Sequence, residues 1–320
     1  MQHLAGKRNL WFALSAAMLL PCIVALILWG LKFGIDFTGG SAWEIQFGQD
    51  VSTEEISRVL TENGRPEATV QQVGDADEHR YLIRLGELQE GSAEKDTLSE
   101  ALATLGTLDP AGESLDTVGA SIGNSIRDRS VLAVAAASIG ILLYIAYAFR
   151  NTQNPLLYGF CAIVAMLHDA IFVLGVFAIL GRFADVEVDA LFITALLTII
   201  GFSVHDTIVV FDRIRENLQA KTEDSFEEIV NYSIGQTLVR SVNTSITVMI
   251  TLLALLLFGG STTREFVLAL LIGVTVGTYS SIFNAAQLLV AWDNGEIQGL
   301  FRRVTRIGKR TASEPTVTEA

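Results

Sequence analysis

The sequence predicts a membrane protein: an all-α bundle of six transmembrane helices that carries one small α+β domain, of ferredoxin-like element order, outside the cytoplasm. Three observations support this fold class. Half of the 320 residues are apolar. Six hydrophobic runs each approach the ~20 residues that cross a hydrocarbon core. Between the first two runs lies a long segment, 33–126, with 18 acidic and 5 basic residues. Its net charge of −13 argues against nucleic acid as a partner.

The apolar runs place the six spans, and the basic residues orient them. The first run is longer than the apolar core of a signal peptide, and no small-x-small cleavage site follows Gly30, so we interpret it as a retained anchor. The short loops on one side hold only Arg182 and Arg264, whereas the other side holds twelve basic residues, so both termini are predicted to be cytoplasmic. The predicted spans are 10–31, 130–149, 156–180, 190–211, 240–258 and 266–292. The twelve basic residues are Lys7, Arg8, Arg150, Arg213, Arg215, Lys221, Arg240, Arg302, Arg303, Arg306, Lys309 and Arg310.

The predicted domains follow from these spans. Residues 1–32 form the cytoplasmic N-terminus and first helix, 33–127 the extracytoplasmic domain, 128–292 the five-helix remainder of the bundle, and 293–320 a cytoplasmic tail without periodicity. Cys22 and Cys161 both lie in apolar spans, so we expect packing residues rather than a disulfide.

The extracytoplasmic segment has a β-α-β-β-α-β pattern, which is the ferredoxin-like order. Alternating apolar residues predict strands, and apolar residues at steps of three and four predict helices. In chain order these are a strand at Trp43, Ile45 and Phe47, a helix at Ile56, Val59 and Leu60, a strand at 68–73, a turn at 75–77, a strand at Tyr81, Ile83 and Leu85, a helix at Leu98, Leu102 and Leu105, and a strand at 113–119.

The cytoplasmic segment 212–239 contains Ser225 and Glu228 at the spacing of a capping box. Apolar residues follow on one helical face, at Phe226, Ile229, Val230 and Ile234. We interpret this as a short amphipathic helix on the cytoplasmic surface, used for docking; a plain loop that buries an apolar stripe fits equally well.

Three of the spans carry polar faces at helical spacing. The fourth has Ile199, Phe202, Ser203, Asp206, Val210 and Arg213; the fifth has Arg240, Asn243, Thr244, Thr247 and Thr251; the sixth has Gly273, Gly277, Ser280, Ser281, Asn284 and Gln287. We expect the three faces to enclose one shared interior, because small residues let helices approach and amides and hydroxyls satisfy one another.

Asp206 is the strongest functional candidate, since a carboxylate inside a membrane helix is costly. Arg240 is expected at comparable depth, either paired with Asp206 or extended to the cytoplasmic interface. His205 points about 100° away from Asp206. His168 and Asp169 form either a packing hydrogen bond or a relay.

Several long motifs resemble the SecF branch of the SecD/SecF family of bacterial protein-export subunits. They are GIDFTGG at 34–40, LHDA at 167–170, GFSVHDTIVVFDRIREN at 201–217, VNTS at 242–245 after Arg240, LFGG at 257–260 and VGTYSSIF at 276–283. The resemblance covers the chain from the first span to about residue 292. His205, Ala120 and Gln287 depart from the usual pattern.

The resemblance implies the fold of one half of a resistance-nodulation-division transporter in the bacterial inner membrane. It also implies a non-enzymatic subunit without cofactor or metal, which uses the proton motive force to help unfolded preproteins through SecYEG. Expected partners are SecD, SecYEG and the small protein YajC. With the residue pattern, it predicts a proton relay of Asp206, Arg240, His205 and Asp169, a path lined by Asn243, Thr247, Ser281 and Asn284, and a hinge at Gly39 and Gly40.

Three other functions compete with this one. A proton-driven small-solute exporter of the same fold would need a second half and a substrate pocket. A passive assembly factor would need no proton flux. An intramembrane protease is disfavoured because neither membrane aspartate lies in a Gly-x-Gly-Asp motif.

Overall fold

A computed structural model describes residues 5–74, 76–150, 152, 154–223, 225–260 and 263–296. The predicted tail beyond residue 296, with its five basic residues, and Asp75 of the predicted turn lie outside the described residues.

Six helices in the described part of the chain are long and apolar enough to cross a membrane. They are α1 (Arg8–Leu28), α5 (Ala120–Ala148), α6 (Pro155–Phe183), α7 (Ala190–Ala220), α8 (Phe226–Phe258) and a last helix composed of α9 (Arg264–Ser280), a π-helical turn (Ser281–Ala285) and α10 (Ala286–Asp293). The predicted spans lie largely within these helices. Several ends extend beyond the apolar runs, because polar turns continue the helices on both sides.

The prediction of a separate surface helix at 212–239 is wrong. α7 continues to Ala220. The capping box is present: the Ser225 hydroxyl accepts a hydrogen bond from the Glu228 backbone amide at 3.3 Å, and the Glu228 carboxylate accepts one from the Ser225 backbone amide at 3.2 Å. The helix that begins there is α8, which runs unbroken to Phe258. Val230 and Ile234 belong to the buried core of the bundle, so this apolar stripe packs inward.

Small residues allow the long helices to approach closely. A Cβ atom on Gly175 of α6 would overlap Cys22 of α1, and one on Gly273 of α9 would overlap Ile199 of α7. Cys22 and Cys161 are buried free thiols, which confirms the prediction of packing residues.

The domain between α1 and α5, which the sequence predicts to lie outside the cytoplasm and which we call the external domain, has the predicted order of elements. Its strands are β1 (Gly40–Gln46), β2 (Thr69–Val73), β3 (Arg80–Leu85) and β4 (Ser114–Val118), and its helices are α3 (Thr53–Glu62) and α4 (Ala93–Leu102). The sheet is antiparallel in the order β2-β3-β1-β4. Trp43 pairs with Ile83, and both are fully buried beneath the helices. The inward alternation that the sequence shows therefore builds a separate core.

Two short connections join this domain to the bundle, and they cross each other closely. The first contains α2 (Ile35–Thr38), which packs on α5, and the second leads from β4 into α5. Gly39 and Gly40 have φ angles of +72° and +112°, and a Cβ on Gly39 would lie 2.8 Å from the Ala120 Cα. Only glycine fits this geometry comfortably.

Candidate functional site

A buried polar cluster centres on Asp169 and joins three helices. Asp169 is 1% exposed. Its Oδ2 atom accepts hydrogen bonds from Ser203 of α7 at 2.5 Å and Ser280 of α9 at 2.6 Å, and its Oδ1 lies 2.9 Å from His168 Nδ1. The carboxylate is therefore bonded on both oxygens, and the predicted His168–Asp169 contact is present.

Asp206 lies on α7, about one turn beyond Ser203, and its environment differs from that of Asp169. The residue is 4% exposed, and its Oδ2 has no hydrogen-bond partner among the described residues. No ion pair within the described part of the chain joins it to Arg240, whose side chain is exposed. The expected direct pair is thus absent from the isolated chain.

The orientation of α8 explains why Arg240 does not pair with Asp206. Ser241 and Ser245 of α8 are buried, and Thr278 of α9 donates a hydrogen bond to Ser245 at 2.6 Å. This bond fixes which side of α8 faces the bundle. Arg240 precedes Ser241 by one residue, or about 100° around the helix, so its side chain points outward.

The prediction of one shared interior is consequently wrong for the fifth span. Its threonine hydroxyls bond back to carbonyls four residues earlier on α8, for example Thr247 to Asn243 at 2.8 Å and Thr251 to Thr247 at 3.1 Å. All five predicted polar residues of this helix are exposed: Arg240, Asn243, Thr244, Thr247 and Thr251.

α7 has an exposed polar stripe of its own. Thr194, Thr198, Gly201 and His205 recur at steps of four and three, and all are exposed. α7 and α8 pack against each other. We call the two stripes together the α7/α8 polar surface: Thr194, Thr198, Gly201, His205, Arg240, Asn243, Thr244, Thr247 and Thr251. Polar and small residues at membrane depth are typical of helix surfaces that contact other membrane helices rather than lipid.

The path residues predicted on the sixth span lie inside the bundle. Ser281 donates to the Ser203 carbonyl at 3.0 Å and contacts the Thr207 hydroxyl at 3.1 Å. Asn284 accepts a hydrogen bond from Ser15 of α1 at 2.8 Å. Both lie in the π-helical turn, a feature frequent at functional sites. Asn243 and Thr247, predicted on the same path, are instead on the α7/α8 polar surface.

Sequence reasoning missed three polar contributors. They are Ser15, Thr207 and Tyr279, whose hydroxyl lies 3.1 Å from that of Ser15. Ser15 stood in the sequence as the lone hydroxyl within the first half of an apolar run, which was a usable signal. Thr207 directly follows Asp206.

Several buried polar atoms of the membrane helices have no hydrogen-bond partner among the described residues. They include Asp206 Oδ2, Asn284 Nδ2 and both amide atoms of Gln287, which is fully buried. In native proteins, such groups mark catalytic, ion-handling or water-bearing positions. Within the described residues, no three His, Cys, Asp or Glu side chains are grouped to hold a metal ion.

Comparison with known families and proteins agrees with this architecture. The family described as "Protein export membrane protein SecD/SecF, C-terminal" matches residues 97–295, and the "SecD/SecF GG Motif" matches residues 30–51, which include Gly39 and Gly40. The protein translocase subunit SecF of Thermobaculum terrenum is 52% identical over 92% of this chain and 95% of that protein. SecF of Anaerolinea thermophila is 42% identical over 95% and 98%.

Solved structures show the same fold in longer chains. The crystal structure of SecDF, a translocon-associated membrane protein from Thermus thermophilus, has 38% identity and a TM-score of 0.77 over 91% of this chain and 38% of that one. SecDF in its super-membrane-facing form has 36% identity and a TM-score of 0.61 over 95% and 39%. The six apolar helices, the external domain at the GG motif and these extended similarities show that this multi-pass membrane chain belongs to the SecD/SecF family of protein export membrane proteins.

Proposed function

We propose that this chain is the SecF half of a two-part export subunit, which pairs with a SecD-like half and uses the proton motive force to assist preproteins through SecYEG. The observation that carries the proposal is the α7/α8 polar surface, which faces away from the chain's own bundle. A second set of membrane helices against that surface would shield its polar side chains from lipid. The SecDF relatives have the length for such a set in one chain, because this chain matches only 38% of SecDF from Thermus thermophilus.

The same surface gives Asp206 and Arg240 their roles. Asp206 is buried next to exposed His205 and has an unsatisfied oxygen, whereas Arg240 is exposed on this surface. Asp206 lies 14 residues before the end of α7 and Arg240 lies 14 residues after the start of α8, which corresponds to similar depths of ~21 Å along the two helices. A partner half that covers the surface would exclude lipid from Arg240 and favour its turn toward Asp206. Proton uptake by Asp206 would weaken that attraction and allow the two halves to rearrange. One elementary charge that crosses ~100 mV supplies about 2.3 kcal/mol, which is comparable to the free-energy difference between two conformations of a membrane protein.

Buried hydroxyls line the inner side of α7 between Asp206 and Asp169. Thr207 donates to the Ser281 hydroxyl, Ser281 donates to the Ser203 carbonyl, and the Ser203 hydroxyl donates to Asp169. We assign Asp169 to the relay as its inner end, and His205 to the partner-facing side of α7. YajC, SecYEG, the inner membrane and cytoplasmic termini complete the proposed setting, and an unfolded preprotein is the substrate of the external domain.

Export of a preprotein into vesicles that hold this chain, its SecD-like partner and SecYEG tests the proposal. Asp206→Asn should abolish the stimulation that a proton gradient gives, and Arg240→Met should nearly do so, while both variants keep the partner. Asp128→Asn, an exposed carboxylate at the outer end of α5, is the matched control and should behave as the parent. Gradient-dependent stimulation that survives in Asp206→Asn would make Asp206 structural. The comparisons do not favour a small-solute exporter.

A further inference from the structure

The loop between α6 and α7, at the outer rim of the bundle, holds a buried carboxylate that contacts the external domain. Glu187 is 8% exposed. Its Oε2 atom lies 2.9 Å from Arg84 Nε, and its Oε1 atom lies 3.6 Å from Lys32 Nζ. Lys32 also pairs with Asp185 of the same loop at 2.8 Å. Two cations from separate elements thus converge on one loop.

Arg84 connects this loop to the interior of the sheet. It lies on β3, which is flanked by β2 and β1, and its guanidinium also donates a hydrogen bond to Gln71 of β2 at 3.2 Å. Among the described residues, Arg84–Glu187 is the only ion pair that joins the four-stranded sheet to the bundle. The two covalent connections that cross at Gly39 also join the domain to the bundle.

Hydrogen bonds hold the loop to the segment after α1 and to the start of α7. The Val188 amide donates to the Lys32 carbonyl at 2.8 Å, and the Val188 carbonyl accepts the Gly34 amide at 2.9 Å. Asp189 caps α7, because its carboxylate accepts a hydrogen bond from the Phe192 backbone amide at 2.7 Å. A force on Glu187 therefore reaches the outer end of the helix that carries Asp206, ~24 Å further along its axis.

We propose that Glu187 is a positioning residue whose junction with Arg84 and Lys32 couples the placement of the external domain to α7. Movement of the sheet then pulls on the outer end of α7, and movement of α7 displaces the sheet. The inference rests on the proposed function only in that this coupling would transmit the proton-driven change near Asp206 to the preprotein. Loss of one member leaves a buried charge unpaired, which destabilises the docked arrangement.

The distance between the domain and the bundle tests the junction directly, in the whole chain with its partner in nanodiscs. Spin labels on exposed Glu100 of α4 and exposed Ala184 of the loop report this distance. Arg84→Glu should shift the distance distribution to longer values, because it places a second carboxylate against Glu187. Arg84→Met, which removes the charge without repulsion, should shift it in the same direction by less.

Charge exchange separates an electrostatic junction from general damage to the fold. Glu187→Arg alone should also lengthen the distance, whereas Glu187→Arg combined with Arg84→Glu should restore it. Arg80→Glu is the matched control, since Arg80 lies on the same strand but pairs with Glu44 inside the sheet at 3.2 Å. An unchanged distribution in Arg84→Glu, or a double variant no closer to the parent than the single ones, would overturn the proposal.

Export measurements then connect the junction to function. Gradient-dependent stimulation should fall in Arg84→Glu and recover in the double variant. The distance result does not depend on export, so it stands or fails separately from the role of Asp206. If Asp206→Asn keeps its stimulation while the exchange rescues the distance, only the proposed function is lost.

Discussion

Asp169 and Asp206 occupy neighbouring helices at similar burial, yet their carboxylates are satisfied differently. Asp169 has donors on both oxygens from α6, α7 and α9, whereas Asp206 has an oxygen without a partner among the described residues. The sequence could indicate both aspartates, because each interrupts an apolar run. It could not distinguish them, since the serines that satisfy Asp169 come from helices distant in the sequence.

Removal of the Asp169 carboxylate should destabilise the bundle. Asp169→Ala leaves the hydroxyls of Ser203 and Ser280 buried without their acceptor, and we expect a loss of about 1–3 kcal/mol in the free energy of unfolding. Asp169→Asn keeps one carbonyl acceptor and should lose less. Thermal unfolding in detergent measures both, with Asp128→Ala as the exposed control. Equal stability of Asp169→Ala and the control would contradict the structural role of this cluster.

Glu187 should make the stability of the folded chain depend on pH. Burial raises the pKa of its carboxyl, and the opposing effects of Arg84 and Lys32 do not reverse this. A carboxyl with a raised pKa binds its proton more tightly in the folded chain than in the unfolded chain, so its contribution to stability is present at low pH. This contribution is lost as the pH rises through the raised pKa. The charged groups around it are Lys32, Arg84, Asp185, Asp189 and Glu265.

Thermal unfolding in detergent across a pH series provides the measurement. The unfolding temperature of the parent should fall as the pH rises from mildly acidic to mildly alkaline values. Glu187→Gln, which cannot titrate, is the comparison and should show a smaller dependence. An equal pH dependence in the parent and in Glu187→Gln would contradict this role of Glu187.

At the scale of elements, the start of α8 was predictable and its orientation was not. Ser225 and Glu228 mark the N-terminus by their spacing alone, because both hydrogen bonds are local. Which face of the helix turns inward depends on the Ser245–Thr278 contact with α9, a tertiary interaction. The polar stripe at Arg240 was the more conspicuous pattern, and it belongs to the outward face.

Close packing of α1 on α6 should depend on Gly175. A Cβ atom there would overlap the backbone of Cys22, so Gly175→Ala forces the helices apart. Overpacking of this kind costs about 1–3 kcal/mol. Gly140→Ala in α5 is a matched control, since nothing lies within 4 Å of its added Cβ. Gly175→Ala should therefore unfold in detergent at a lower temperature than Gly140→Ala. Equal unfolding temperatures would mean that α1 moves away from α6 without a loss of stability.

At the scale of the whole molecule, two patterns made the architecture predictable. Long apolar runs gave the bundle, and period-two and helical spacing within an acidic segment gave the external domain with its order of elements. Both patterns arise from burial within this chain. The α7/α8 polar surface has the same helical periodicity as a buried face, so periodicity alone assigned its α8 stripe to the interior. Only the packing of α8 shows that this stripe faces outward.

The partner should therefore be lost when this surface is blocked and retained when an apolar exposed face is changed in the same way. Thr247→Trp inserts a large side chain among residues that would contact the second half, so the SecD-like chain should bind at least about tenfold more weakly, or ~1.4 kcal/mol. Leu20→Trp is the control, because Leu20 is 61% exposed on an apolar face of α1, where lipid accommodates an indole. Co-purification from mild detergent measures both variants. Because Thr247 bonds only to its own helix, the isolated chain should keep its stability in either case. Equal recovery of the partner by Thr247→Trp and Leu20→Trp would place the second half on another face of the bundle.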